Sequence, residues 1–215
     1  MEQTILNEEQ KKIIASVAQE PNLSDFYLSG GTALAAYYFH HRISDDLDFF
    51  IANDIDKIFL HAFAENLKKI LGAKIVRFER LYDRNIFFFS NASELKVEFT
   101  KYPFIQLAKP IIRDGIKIDS LRDVAANKLM AMLDRFEPKD FVDLFFLLKK
   151  FKLKDIRRDV EKKFGVNVGD VFLGGELAKV RRVEVLPKML KKITVEELKI
   201  FFAKQAKELG SKFLE

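Results

Sequence analysis

The sequence predicts an α+β protein, a mixed sheet with flanking helices followed by a helical lobe. Three observations carry that prediction. The strand-like runs all lie before residue 119, and from Ser120 the apolar spacing becomes helical. Short turn signals (Asn91-Ala92-Ser93, Asp114-Gly115) separate the runs of the first half, whereas Pro138 and Pro187 punctuate longer helical stretches in the second. Strands gathered in one half and helices in the other indicate segregated α+β layers. The division is drawn at 1–118 and 119–215, with the second part expected to contribute to a shared cleft.

Ile5–Gln19 has helical periodicity, with Asn7 as cap and Ile13, Ile14 and Val17 facing inward; Pro21 and Asn22 end it. Ser24–Leu28 forms a short strand that stops at Ser29-Gly30-Gly31-Thr32. Thr32–His40 is helical, and Ser44–Ile51 is a strand. Asn53 or Asp54 caps the next helix, with Ile58, Phe59, Phe63, Leu67 and Leu71 on one stripe and Gly72 as its stop. Lys74–Arg80, Asn85–Ser90 and Glu94–Thr100 are strands, the last two joined by the tight link Asn91-Ala92-Ser93. Asp114-Gly115 turns a further hairpin between Ile111-Ile112 and Ile116–Ile118. Ser120 with Asp123 has capping spacing for a helix to Phe136. Helices over Lys139–Lys150, Lys154–Phe164, Val168–Val180 and Thr194–Leu209 follow, with Thr194 and Glu197 a capping box for the last.

The chain has 215 residues, no cysteine, 22 phenylalanines and a formal net charge of +5. Without cysteine there is neither a disulfide framework nor thiolate chemistry, which favours a cytoplasmic setting. The first residues lack the form of a signal peptide. No apolar run approaches the ~20 residues of a membrane span, so no membrane association is expected. The positive charge permits a polyanionic partner without requiring one. The basic segments beyond Lys149 match an RNA-gripping surface and a solvated helix face equally in charge, but lack interleaved aromatics, which favours the solvated face.

The informative stretch is Leu28–Ile51, LSGGTALAAYYFHHRISDDLDFFI. On a strand Asp46 and Asp48 project to one side, while Leu47 points into the core. Two adjacent carboxylates repel unless a cation sits between them, and hard oxygen ligands suit Mg²⁺ or Mn²⁺. A diglycine turn entering a helix leaves amides for phosphate oxygens, and Gly30 and Gly31 admit close backbone approach. The Ser29 and Thr32 hydroxyls either add hydrogen bonds to phosphate or, for Thr32, cap the helix. Arg42 is placed either to contact phosphate or to brace the acids. Asp45 points away from the pair, as an edge residue or a partner of the ligands. Alternation sets Glu98 with Lys96 and Thr100 on the unpacked face of its strand, as an exposed Glu or a third carboxylate. His40, His41 and His61 lack the spacing of a zinc site and are expected at the surface or in packing.

These residues, GG-T-A-L and then HRISDDLDFF, resemble the AbiEii/AbiGii toxin family within the DNA polymerase β-type nucleotidyltransferase superfamily. The resemblance extends through VAANKLMAMLDRFEPKDFVDL, covering roughly residues 24 to 150. It implies a polymerase β-like lobe and Asp46, Asp48 and Glu98 as metal ligands. It further implies Lys128 neutralising a triphosphate, Asp140 as an essential acid, and Arg135, Lys139 and Asp143 orienting them or holding the lobes together. By spacing alone, charges three or seven apart mark an ordinary solvated helix face. The implied activity is transfer of an NMP from an NTP to an acceptor hydroxyl, on an RNA or tRNA end or a protein. The implied setting is a toxin with a cognate antitoxin. The competing expectations are a non-catalytic nucleotide- or RNA-binding module and a metal-dependent phosphohydrolase.

Overall fold

The computed structural model describes residues 5–91 and 93–210. Ala92 of the expected Asn91-Ala92-Ser93 link lies outside the described residues. Two compact units are present. The first contains the chain through Tyr38 with Ser44–Ile105 and Lys109–Ser120; the second contains Phe39–Ile43, Gln106–Ala108 and the chain from Leu121. Two short segments of the first half therefore belong to the helical unit, a placement that local periodicity cannot reveal.

In the first unit, β1 (Tyr27–Ser29), β2 (Leu47–Ile51), β3 (Ile75–Leu81), β4 (Arg84–Ser90), β5 (Glu94–Lys101), β6 (Ile111–Arg113) and β7 (Ile116–Ile118) form one sheet. The order is β3-β4-β5-β2-β1-β7-β6. The β2/β5 and β1/β7 pairs are parallel and the others antiparallel, so the sheet is mixed, as expected. Two helices, α1 (Glu8–Gln19) and α3 (Lys57–Leu71), pack their apolar stripes on one sheet face. Ile13, Ile14 and Val17 meet Leu47, Phe49, Val97 and Phe99 there, and Phe49 stacks on Phe99 with ring centroids 5.3 Å apart. Each such fully buried large side chain contributes about 1.5–3 kcal/mol. The period-2 alternation of β2 sends Leu47, Phe49 and Ile51 into this core and Asp48 to the opposite face.

The sequence reading of α3 needs two corrections. Asp56 caps it, its carboxylate accepting from the Phe59 amide at 3.0 Å. Starting the helix there turns the inner stripe onto Leu60, Phe63, Ala64, Leu67 and Leu71, and leaves Ile58 85% exposed. After β1 the expected helix is present but changes its winding. An α-helical turn, α2 (Gly30–Leu34), passes into a wider π turn over Ala35–Phe39.

The second unit comprises α4 (Leu121–Asp134), α5 (Pro138–Leu148), α6 (Leu153–Phe164), α7 (Asp170–Ala178) and α8 (Val195–Gly210). Pro138 occupies the first turn of α5, where its missing N–H removes no helical bond. Thr194 and Glu197 cap α8 reciprocally, at 3.1 and 2.7 Å. Phe141 and Phe145 of α5 pack edge-on against Phe202 and Phe201 of α8. The Phe39–Ile43 segment is stitched to residues 188–190 by main-chain bonds, Ile43 N–H to Lys188 and Leu190 N–H to His41, each 2.8 Å. Among the described residues no helix is long and apolar enough to cross a membrane.

Candidate active site

Parallel pairing of β2 with β5 sets Asp48 directly beside Glu98. Asp46 lies just before β2, and its carbonyl accepts a hydrogen bond from the Thr32 hydroxyl. The three acids thus share the sheet face away from the packed core. Gly30 closes in from α2: a Cβ built on it would stand 2.7 Å from Asp48 Oδ2, and its φ is +71°. Only glycine adopts that backbone readily, and only glycine leaves Asp48 its place.

Glu98 is 3% exposed. Arg84 grips both of its oxygens, Nε to Oε1 and Nη2 to Oε2 at 2.6 Å each, and the Thr100 hydroxyl donates to Oε1 at 2.6 Å. Burial would raise the Glu98 carboxyl, but the bonds from Arg84 and Thr100 and the nearby Lys96 charge prevail, holding it at about 2. Lys96 Nζ lies 3.1 Å from Glu98 Oε2, 3.6 Å from Asp48 Oδ1 and 3.8 Å from Asp46 Oδ2. Burial would lower its ammonium, yet Asp48, Glu98 and Asp46 keep it above its ordinary value.

As placed, the acids do not close into a metal-ligand cluster, nor do any three His, Asp or Glu side chains among the described residues. Their chemistry nonetheless fits a divalent cation. Three carboxylates lie within 3.8 Å of one ammonium nitrogen, so all three oxygen donors face one shared point, at ion-pair distance. Glu98 is the member already most engaged, by Arg84.

Other expected site residues are placed differently. The buried Ser29 hydroxyl donates to Asp119 Oδ2 at 2.7 Å, and the Thr32 hydroxyl serves the Asp46 carbonyl rather than capping its helix. Both therefore brace the turn and the acidic segment from within. Gly31 continues the first turn of α2. Asp45 is exposed, and its carbonyl accepts from Gln10 Nε2 at 3.0 Å. Arg42, expected to contact phosphate or brace the acids, is buried within the helical unit. It is 3% exposed and binds Asp143 of the helical unit with two bonds, Nε to Oδ1 at 2.7 Å and Nη2 to Oδ2 at 2.8 Å.

Arg42 belongs to a second charged cluster, inside the helical unit. Lys128 Nζ of α4 lies 2.8 Å from Asp140 and 2.7 Å from Asp143, both fully buried on α5. Arg135, half exposed, reaches Asp140 Oδ2 at 3.1 Å. His41 Nε2 meets Asp143 Oδ1 at 2.7 Å, and its Nδ1 has no hydrogen-bond partner among the described residues. Burial drives His41 toward the neutral form. Burial opposes ionisation of Asp143 as well, but Lys128, Arg42 and His41 hold its carboxyl well below the ordinary range. His41 is thus a buried member of this cluster, a packing role with a polar partner that no ligand spacing announces. His61 packs on Phe78 and Phe87, and His40 is exposed. Several basic residues of the second half are likewise paired within the unit: Lys163 with Asp123 in a buried pair at 2.6 Å, Arg122 with Asp159, and Arg157 with Asp170.

The family model for the nucleotidyl transferase AbiEii toxin of type IV toxin–antitoxin systems matches residues 12–211. An uncharacterised protein of Aquifex aeolicus (strain VF5) is 32% identical over 165 residues, 74% of this chain and 76% of that protein. A crystal structure from H. pylori, described as a candidate nucleotidyltransferase, superposes with a TM-score of 0.64 at 20% identity, covering 100% of this chain and 99% of its own. JHP933 from Helicobacter pylori gives a TM-score of 0.60 at 22% identity, covering 99% and 94%. The fold is that of polymerase β-like nucleotidyltransferases. With the diglycine turn and the acidic strand in place, and nearly the whole chain matched, the protein belongs to the AbiEii nucleotidyl transferase toxin family.

Proposed function

We propose that the chain transfers a nucleoside monophosphate from an NTP to an acceptor hydroxyl. The α-phosphorus–oxygen bond to the β-phosphate breaks, a bond from the acceptor oxygen to the same phosphorus forms, and pyrophosphate and a proton leave. The observation that carries this reading is the register of Asp48 beside Glu98 on one face, with Asp46 near and Gly30 closing over Asp48. In this reading Asp46, Asp48 and Glu98 hold Mg²⁺ or Mn²⁺. The ion when bound supplies charge neutralisation to the triphosphate and acidifies the acceptor hydroxyl.

The chain's own contribution is positioning and electrostatics. Arg84 and Thr100 fix the rotamer of Glu98, and Thr32 fixes the backbone at Asp46. Gly30 removes the side chain that would crowd Asp48. Family membership supports a toxin role with a cognate antitoxin, and an RNA end or a protein as acceptor is part of the proposal.

Incubation with α-³²P-labelled NTPs, Mg²⁺, bulk RNA and cell protein should move label into one acceptor fraction with pyrophosphate release. Asp46→Asn and Asp48→Asn should each lower the rate by about two to three orders of magnitude, with circular dichroism unchanged. Transfer at the normal rate by either folded variant would remove these acids from the reaction. Free nucleotide without labelled acceptor would indicate a phosphohydrolase instead.

A further inference from the structure

Lys96 precedes Glu98 by two residues on β5 and so projects from the same face as the acids. Its ammonium touches all three, at 3.1, 3.6 and 3.8 Å, and the side chain keeps 23% of its surface exposed. Arg84 bonds Glu98 and also feels the Asp48 charge, while Lys96 pairs with Asp46, Asp48 and Glu98 alike. Without it, Asp46 and Asp48 would face each other and Glu98, with Arg84 bonded to Glu98 from one side. With it, the position that any shared divalent ion would take already holds a positive charge.

Resting on the metal-dependent reading above, we propose that Lys96 is a built-in counter-ion. It holds the three carboxylates together while no divalent cation is bound, and it has to withdraw when one binds. An ammonium and a divalent ion cannot share one position among these carboxylates, and their repulsion at close range there is screened far less than in water. The partly exposed flexible stem gives the ammonium a route to solvent. Lys96 thereby acts as a positioning residue that sets the threshold for divalent-ion binding, rather than as a group acting on substrate.

The test uses the full chain without nucleotide and Mn²⁺ as probe, followed by loss of the free-ion electron paramagnetic resonance signal and by thermal melting. Lys96→Met should bind Mn²⁺ about tenfold tighter than wild type or better, since a competing charge is removed. Its metal-free form should melt lower and gain more on Mn²⁺ addition. Lys96→Arg, which keeps the charge, should stay near wild type. If Lys96→Met does not fold, wild type alone decides: saturating Mg²⁺ should shift the Lys96 ¹³Cε resonance, and an unmoved resonance overturns the proposal. Equal or weaker Mn²⁺ binding by Lys96→Met overturns it too, with metal dependence intact. Absence of Mn²⁺ binding in both proteins overturns the metal-dependent reading itself, and this inference with it.

Discussion

At the scale of single residues, Gly30 and Gly72 make a natural pair of probes. Both have positive φ, +71° and +64°, but a Cβ on Gly30 would press on Asp48 whereas one on Gly72 would meet nothing within 4 Å. Either change to Ala should cost about 1–2 kcal/mol for the left-handed backbone. Only Gly30→Ala should also displace the Asp48 carboxylate. The expected outcome is similar loss of melting temperature for both variants, with nucleotidyl transfer abolished in Gly30→Ala and retained in Gly72→Ala. Equal transfer by the two would detach Gly30 from the chemistry. The carboxylate positions were legible because period-2 alternation is a local rule: it puts Asp48 and Glu98 on the outer face of their strands. The partners of these residues were not. Ser29 finds Asp119 ninety positions away, and Arg42 finds Asp143 across 101 positions, separations on which spacing within a motif is silent.

Among elements, the pairing of α4 with α5 is the most demanding electrostatically. Lys128 enters from α4, Asp140 and Asp143 from α5, and Arg42 and His41 from the Phe39–Ile43 segment, all of them buried. Burial would push the Lys128 ammonium toward neutrality, but Asp143 and Asp140 keep it charged. Removing one partner leaves the others uncompensated, a loss of about 3–5 kcal/mol in such pairs. Lys128→Met should therefore lower the denaturation midpoint strongly. Lys128→Met with Asp140→Asn should cost less than the sum of the two single changes. Additive losses in denaturant titrations would show that these groups do not act as one network. Helical periodicity predicted α4 and α5 and the break at Pro138, since capping and proline effects are local. It assigned their charges to a solvated face because i, i+3 and i, i+7 spacing describes only the helix itself. Which face another element covers is decided elsewhere in the chain, and so Ile58 was placed inside and Asp143 outside.

For the molecule as a whole, the two units carry acid-sensitive groups of the same sign. Glu98 is held at about 2 in the folded chain against an ordinary value of 4.5, and Asp143 lies well below its ordinary 3.8. In both cases the unfolded chain takes up the proton first. The stabilisation is complete above the ordinary values and drains as pH falls through them toward the folded ones. His41 adds an earlier loss, because burial lowers its pKa from 6.5 and only the unfolded chain protonates readily just below that value. Thermal melts should thus decline gently from about pH 6.5, where His41 begins to count, and steeply from about pH 4.5 toward pH 2. Asp143→Asn and Glu98→Gln should each start from a lower melting temperature at pH 7 and lose less of it on acidification. A variant that keeps the full acid slope would show that its carboxylate is not among the groups driving acid unfolding. Since Glu98 lies in the sheet unit and Asp143 in the helical unit, the two substitutions assign the slope to one unit or the other.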